Sequence, residues 1–372
     1  MKILQFGKFY PPSMGGTEQV MFETSEGVSR DGHTCDVLCS NKKASYIEDK
    51  FENYTVFRTG SYGIFLSTSI TPQLIYKLWK LNSKYEIIHI HAPDPMAFLA
   101  LFLVRPKAKI IVHWHLDIVR QHRTKKFFIP LQNWVLKFAD KVIVTSKNYV
   151  QHSSDLKDVV SKVEILPLGT SNYSHLSDKK NVKDIHEQYK NKKIVLAIGR
   201  LVGYKGFKYL VESAKYLDDD FMILIAGTGY EKDNLEDIIS SNKLQKKVKL
   251  LGHISEQEKY DYLQASYLFC LPSITKAEAF GVAIIEAMSF SKPIVSTNMF
   301  DSGISWVNKD GVTGIQVDTG SSKQLADAFR KIASDKSLYE SMSKNSFRRY
   351  EKLFSDKKMI QSTIEIYKSV LR

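Results

Sequence analysis

The chain has 372 residues, more than one hydrophobic core usually organises, so two compact units are expected. With 43% apolar and 25% charged residues it can build a full core, which excludes wholesale disorder. The formal charge of +13 draws such a chain to phosphates, anionic lipid or nucleic acid, and charge alone does not choose among them. Three cysteines, Cys35, Cys39 and Cys270, cannot all pair, and TCDVLCS lacks the neighbours of a zinc site. Buried free thiols in a reducing compartment are expected.

MKILQFGKFY opens on a strand-like run with no signal-type apolar core, which predicts a cytoplasmic chain. GKFYPPSMGGTEQV follows, with two prolines and then Gly15 and Gly16 before a helix starting near Thr17. That loop either receives an anion through free N–H groups and the helix dipole or is a plain tight turn. The run PMAFLALFLV is about half the roughly 20 residues needed to cross a bilayer, so no span is expected. HIHAPDP and VHWHLD end two further strands with His89, His91 and Asp94, and with His113, His115 and Asp117. One histidine of such a pair is expected to be buried and the other to face a cleft, where it could hydrogen-bond a sugar or oppose a developing charge; His115 is favoured over His113. Metal ligation by these pairs is disfavoured without cysteine or a helical HxxxH.

Basic residues concentrate in RPKAKIIVHWHLDIVRQHRTKK, where Arg105, Lys107, Lys109, Arg120, Arg123, Lys125 and Lys126 face only Asp117. The helical pattern TKKFFIPLQNWVLKFADK that continues it mixes lysines with aromatics, which suits either an interfacial membrane contact or an ordinary amphipathic core helix. Nucleic acid is a third choice, since no recognised binding module accompanies the charge.

Alternating strand and helix patterns predict parallel sheets covered on both faces. VEILPLGT closes the first series, SNYSHLSDKKNVKD reads as a linker, and a second series runs from KIVLAIGR to KPIVST. In open parallel sheets ligands bind beyond the carboxyl ends of the strands. There AIGRLVGYKGF places Arg200 and Lys205 across one loop, an arginine fork and a mobile ammonium suited to a diphosphate, or else two exposed cations on a basic protein. IAGTGYEK carries Gly227 and Gly229 but Lys232 where a dinucleotide fingerprint needs a third small residue. The DxD-like run Asp218, Asp219 and Asp220 precedes a strand on its entering side and reads as a solvated turn. Ser255 with Glu258 forms a capping box. In KAEAFGVAIIEAM, Glu278 precedes a helix and Glu286 lies about two turns inside it, on either side of an apolar run where a carboxylate is costly to desolvate.

Taken together, the GG after the first strand, GRLVGYKG, IAGTG, LLGHIS and the E-x7-E of EAFGVAIIEAM resemble a retaining glycosyltransferase of family 4 with the two-domain GT-B fold. The likeness spans nearly the whole chain, and PPSMGGTEQV, HWHLDIV, SKNYV and SGISWVN resemble bacterial O-antigen and surface-polysaccharide enzymes, mannosyltransferases prominent among them. The resemblance implies an α/β, GT-B fold of two doubly wound Rossmann-like domains with an interdomain cleft. Residues 1–170 would bind the acceptor and 171–355 the nucleotide-sugar donor, with a helix at about 356–372 packing back on the first domain. Arg200 and Lys205 would hold the donor diphosphate, Glu278 the donor sugar and Glu286 the ribose. The amides of Phe280, Gly281 and Val282 would approach phosphate and sugar, with Gly227, Gly229, His253 and Ile254 also on the donor side. Gly15 and Gly16 would lie near the diphosphate and His115 near the transferred sugar. The chain departs from the family pattern at Leu116, where relatives often have serine, and at LPLGT, where many have PNG.

The implied activity is retaining, metal-independent transfer from GDP-mannose, with UDP-sugars next, to a growing lipid-linked surface polysaccharide. The implied setting is the cytoplasmic face of the inner membrane, peripherally bound, with no cofactor and no nucleic acid. A nucleotide-sugar hydrolase or epimerase of the same fold is the first alternative, and a non-catalytic basic membrane or nucleic-acid adaptor the second. The set Arg200, Lys205, Glu278 and Glu286 argues against the adaptor, which has no use for it.

Overall fold

The computed structural model describes residues 1–13, 15–65, 68–115 and 122–372, with side chains from 128 onward in the last stretch. It divides into two compact units, Met1–Leu168 with Asp356–Arg372, and Gly169–Ser355.

The first unit carries strands β1 (Lys2–Phe6), β2 (Thr34–Ser40), β3 (Ile47–Lys50), β4 (Thr55–Thr59), β5 (Ile64–Phe65), β6 (Thr68–Ser69), β7 (Ile87–Ala92), β8 (Lys109–Trp114), β9 (Lys141–Val144) and β10 (Val163–Ile165). Eight of them form one sheet in the order β10-β9-β8-β7-β1-β2-β4-β3, and β5 and β6 make a separate hairpin. All neighbours run parallel except β3, which pairs antiparallel with β4 at the edge. Strands covered on both faces need apolar residues at every position, and β7 is buried along its whole length. One face packs Leu4, Ile88, Ile90, Val112 and Trp114 under helices that include Phe98, Leu101, Val135 and Leu136. The opposite face packs Ile3, Ile87, Ile111 and Ile143 against Met359, Ile364, Tyr367 and Val370 of the last helix, Asp356–Leu371. That helix approaches the helix Gly16–Arg30 closely enough that a Cβ on Gly27 would overlap Ile360.

The basic-aromatic stretch forms the helix His122–Phe138, and Phe128, Leu131 and Trp134 pack against the core beside fully buried Val135. Of the two readings of that pattern, the core helix accounts for these residues. Leu116, Asp117 and Arg120 lie outside the described residues, as do the side chains of Arg123, Lys125, Lys126 and Phe127.

The second unit carries β11 (Lys193–Ile198), β12 (Phe221–Ala226), β13 (Val248–Gly252), β14 (Leu268–Leu271), β15 (Ile294–Thr297) and β16 (Gly314–Val317). They form a parallel sheet in the order β13-β12-β11-β14-β15-β16. The chain builds outward from β11 to β13 and then returns to lay β14 on the other side of β11, so the strand order reverses between β11 and β14. The stretch read as a linker belongs to this unit. Buried Asp261 accepts from the backbone N–H of Asp178 at 2.7 Å and from Asn181 Nδ2 at 2.8 Å, and Tyr173 stacks on Tyr260. Its polar, turn-rich composition reflects the Asp178 cap of the helix Lys179–Gln188 rather than freedom.

Ending the chain at Ser355 should strip the first unit of the helix that covers Ile3, Ile87 and Ile111 while sparing the second. Scanning calorimetry is expected to lose one unfolding transition and keep the other, and two intact transitions would contradict this packing.

Candidate active site

The carboxyl ends of β11 and β14, where strand order reverses, are where an open parallel sheet opens a crevice for a ligand. The loop after β11 carries Arg200 and Lys205, and the loop after β14 carries Glu278 and leads into the helix Val282–Ser289 with Glu286 in its second turn. The two loops are joined by backbone: Ile274 N–H donates to Tyr204 O at 2.8 Å. Gly206, at φ +66°, passes so close to Pro272 O that any Cβ there would overlap it. This brings Lys205 Nζ into an ion pair with Glu278, each side chain only 11% exposed. Ser273 Oγ donates to the same carboxylate at 3.2 Å. Arg200 is exposed and donates from Nη2 to Tyr204 Oη at 3.2 Å.

Gly227 and Gly229 lie after β12, beside the arginine loop. A Cβ on Gly227 would overlap Gly199 O, and one on Gly229 would overlap Leu201 O. Leu201 N–H donates to Thr228 O at 2.9 Å, and Gly227 N–H to Gly252 O at 2.7 Å. These glycines bind three strand ends side by side, with Arg200 between two of the fixed residues; exposed His253 and half-buried Ile254 continue from the third. Phe280 is buried, its ring 5.9 Å from Phe354 and 6.3 Å from Trp306, so its side chain is taken up in packing. Gly281 supplies the left-handed turn, φ +85°, that starts the helix. Ser302 Oγ donates to Glu278 O, and Gly303 N–H donates to Ala279 O at 2.8 Å, clamping the loop from the far side.

The second carboxylate also has a cation. Lys259 Nζ lies 2.9 Å from Glu286 and 2.8 Å from Glu256. Burial works against the charge of Lys259, but the two glutamates outweigh it and hold the ammonium above its ordinary range. Sequence reasoning passed over Lys259, Ser273, Tyr204 and Ser302. Lys259 lies one turn after the capping Ser255, but its partner Glu286 is 27 residues away on another helix, so no local pattern signals the pair. The capping box is present, with Glu258 Oε2 accepting from Ser255 N–H at 2.7 Å. Asp219 and Asp220 pair with Lys247 and Lys193 at the entering edge of the sheet, away from this crevice.

In the first unit the order reverses between β1 and β7. Gly15 caps the helix Gly16–Arg30 and both glycines are exposed. Arg58 fastens the loop before them, donating to Tyr10 O at 3.2 Å and Pro11 O at 2.6 Å. Met14 lies outside the described residues.

The histidines depart from expectation. Residues two apart on a strand share a face, so His89, His91, His113 and His115 all point to the same side, and all are buried. They form a stack, with ring centroids 4.8 Å apart for His89 and His91, 5.2 Å for His91 and His115, and 4.2 Å for His113 and His115. His115, at the strand end, is 6% exposed against 1% for His113. Burial drives the pKa of His89 and His115 down to about 3 and lowers those of His91 and His113 as well. Nitrogens of His91, His113 and His115 lie within 4.8 Å of one another. Of these, His91 Nδ1 and His115 Nε2 lie 2.9 Å apart. The three rings lie within 30° of parallel.

Residues 14–171 match the family described as Glycosyltransferase Family 4, and residues 178–349 that described as Glycosyl transferases group 1. The chain belongs to the group 1/family 4 glycosyltransferases. It is 27% identical to the O-antigen chain mannosyltransferase C of Escherichia coli over 100% of this chain and 99% of that one. It is 26% identical to the D-rhamnosyltransferase WbpZ of Pseudomonas aeruginosa over 95% and 92%. A sucrose-phosphate synthase from Thermosynechococcus elongatus shares the fold at a TM-score of 0.79 and 19% identity over 100% and 99% of the two chains. So does HepE from Anabaena in complex with UDP and glucose, at 0.79 and 20% over 99% and 100%. The glycosyltransferase is thus an α/β protein of the two-domain GT-B fold. Among its described residues no helix is long and apolar enough to cross a membrane.

The neutral histidine stack ties stability to pH. These groups have depressed pKa values when folded, so their contribution is present above about 6.5 and is lost as pH falls toward about 3. Each adds a slope of about 1.4 kcal/mol per pH unit within that window. Thermal unfolding of the first unit should fall steeply on acidification below pH 6.5, and His113→Phe should flatten the profile; an unchanged slope would contradict the stack's neutrality.

Proposed function

We propose that this glycosyltransferase moves a sugar from a nucleoside-diphosphate donor, GDP-mannose first and UDP-sugars next, to a growing lipid-linked surface polysaccharide with retention of configuration. The observation that carries the reading is the Lys205–Glu278 ion pair at the β11/β14 crevice, with exposed Arg200 beside it. The E. coli relative, named for O-antigen mannose transfer, supports mannose and the polysaccharide class. The neighbour bound to UDP and glucose supports a nucleotide on this fold.

Breaking the sugar–phosphate bond leaves negative charge on the departing nucleoside diphosphate. Arg200 and Lys205 are placed to stabilise that charge more strongly in the transition state than in the ground state. Two fixed cations supply what a divalent ion would otherwise supply, so transfer is proposed to proceed without a metal or other cofactor. Glu278 takes the donor sugar hydroxyls and Glu286, oriented by Lys259, the ribose. The amides of Phe280, Gly281 and Val282 approach the phosphate and sugar. Gly15 and Gly16 serve the diphosphate, and His115 the transferred sugar. The acceptor hydroxyl attacks on the face the phosphate leaves, and that phosphate receives its proton.

Arg200 is exposed, so Arg200→Ala tests charge stabilisation with little cost to folding. Loss of one such donor typically costs a hundredfold or more in rate. Release of nucleoside diphosphate, followed with a lipid-linked mannosyl acceptor, should fall by at least that factor while circular dichroism stays unchanged. Wild-type turnover would overturn the reading, and proton NMR of the product's anomeric centre checks retention. Lys205→Met alone would bury Glu278 without its cation, so it is better made together with Glu278→Gln.

Peripheral contact with an anionic bilayer is proposed as well, through β5–β6 and the helix Pro72–Leu81. Tyr62, Ile64, Phe65, Tyr76 and Trp79 are each more than half exposed there, and Lys80 and Lys84 are exposed beside them. Aromatic side chains interleaved with lysines suit a lipid interface, each lysine adding about 1 kcal/mol near an anionic surface. Phe65→Glu with Trp79→Glu should abolish co-sedimentation with phosphatidylglycerol vesicles, and undiminished binding would remove this surface from consideration.

A further inference from the structure

Gln5, in β1, is fully buried and joins three elements. Its Oε1 lies 2.8 Å from His91 Nε2, and its Nε2 lies 2.8 Å from Tyr367 Oη and 3.6 Å from Cys35 Sγ. His91 Nδ1 lies 2.9 Å from His115 Nε2, and Tyr367 Oη lies 2.6 Å from His89 Nδ1. Gln5, His91, His113, His89 and Tyr367 are 0 or 1% exposed and Cys35 is fully buried, so no water competes inside the chain of contacts.

The protons can be followed from one end. An amide oxygen only accepts, so the proton between Gln5 and His91 sits on His91 Nε2. Burial keeps His91 neutral, with that single ring proton, which leaves Nδ1 as an acceptor. His115 must then donate to it from Nε2, and His115, neutral too, is left with a bare lone pair on Nδ1. As placed, both amide protons of Gln5 have a partner, Tyr367 and Cys35. Reversed, the nitrogen would have two protons and only His91 to receive one; as placed, the proton left without a partner is the one on His89 Nε2. Tyr367, having accepted from Gln5, donates its own proton to His89 Nδ1. The C-terminal helix thereby holds the amide in place across the sheet.

We propose that Gln5 is a positioning residue for sugar transfer: acting through His91, it holds His115 in the Nε2–H tautomer, so that His115 presents Nδ1 as an acceptor to a hydroxyl of the sugar. This rests on the reading of His115 as a sugar contact, and it specifies the chemistry of the contact. A bare imidazole nitrogen attracts an O–H and is repelled by a phosphate oxygen. His115 therefore selects for a hydroxyl on the transferred sugar and contributes nothing to holding the diphosphate.

The test is nitrogen-15 NMR of the full chain labelled at histidine, with Gln5→Met and Tyr367→Phe as variants. In the wild type His115 should show a protonated Nε2 and an unprotonated Nδ1; a protonated Nδ1 overturns the proposal without reference to activity. In Gln5→Met the His115 signals should report a mixture of tautomers. Its kcat/KM with the nucleotide sugar should drop about tenfold, the worth of one hydrogen bond. Its affinity for the free nucleoside diphosphate should be unchanged. A wild-type tautomer as expected, joined to undiminished transfer by Gln5→Met, would retain the proton arrangement but overturn Gln5's role as a positioning residue, leaving the sugar contact of His115 to stand or fall separately. Tyr367→Phe frees the amide without removing it and should shift the His115 signals the same way with a smaller loss of rate; tautomers identical to wild type in both variants would also overturn the proposal.

Discussion

The second unit's crevice depends on three places where backbone meets backbone with no room for a side chain. Gly206 against Pro272, Gly227 against Gly199 and Gly229 against Leu201 draw the ends of β11, β12 and β14 into contact. No hydrogen bond to a side chain could achieve this, because the approach itself requires the missing Cβ. Once the loops are in register, Arg200, Lys205 and Glu278 have little choice of position. Gly227 and Gly229 thus resemble a nucleotide-binding pattern for an indirect reason. Their conformational freedom is used to build the floor under a cationic loop, and any contact they make with phosphate is additional.

The first unit shows the opposite kind of constraint. Its polar side chains are collected inside the sheet's covering layer and must be satisfied there. Four imidazoles, an amide and a phenol share few donors and acceptors, and burial forbids charge on any of them. Such a network has few proton arrangements, which makes its tautomers a property of the fold. Both nitrogens of His113 have no partner among the described residues, so the stack also holds an uncompensated cost. That cost is carried by the same strand that delivers His115 to the sheet's carboxyl edge.

How much of this was legible in the sequence follows from the range of each interaction. GRLVGYKG and the two glutamates around AFGVAII could be placed because each sits in one loop–helix unit whose local pattern sets its geometry. Ser255 and Glu258 could be paired for the same reason. The histidines differ from expectation in burial: alternation along a strand puts His113 and His115 on one face, both buried, and the contrast between them comes from position along the strand. Lys259 with Glu286, Ser302 with Glu278, and Gln5 with Tyr367 were invisible, because each joins residues far apart in sequence through a fold that must first exist. The linker was misread for a related cause. A capping aspartate and the polar first turn of an exposed helix have the composition of a loop, and only buried Asp261 reveals that the segment is docked.

The pairing of each carboxylate with its own cation bears on how a donor would be handled. Lys205 neutralises Glu278 and Lys259 neutralises Glu286, so the two acids do not repel and neither stays buried as an isolated charge. On the proposed reading a nucleotide sugar would exchange these partners: its hydroxyls would replace Lys205 on Glu278, and its diphosphate would replace Glu278 on Lys205. The exchange offsets much of the desolvation that entry of a dianion would otherwise require. Heterolysis of the sugar–phosphate bond then moves positive charge toward the sugar, on the side of Glu278, and negative charge toward the phosphate, on the side of Lys205. On that reading both ends of the former ion pair would stabilise the charge developing next to them. Because the loops that hold them are locked by backbone contacts, little reorganisation is needed at the moment of reaction. The same two residues that stabilise each other in the ion pair are, on this reading, the ones that favour the separated charges of the transition state.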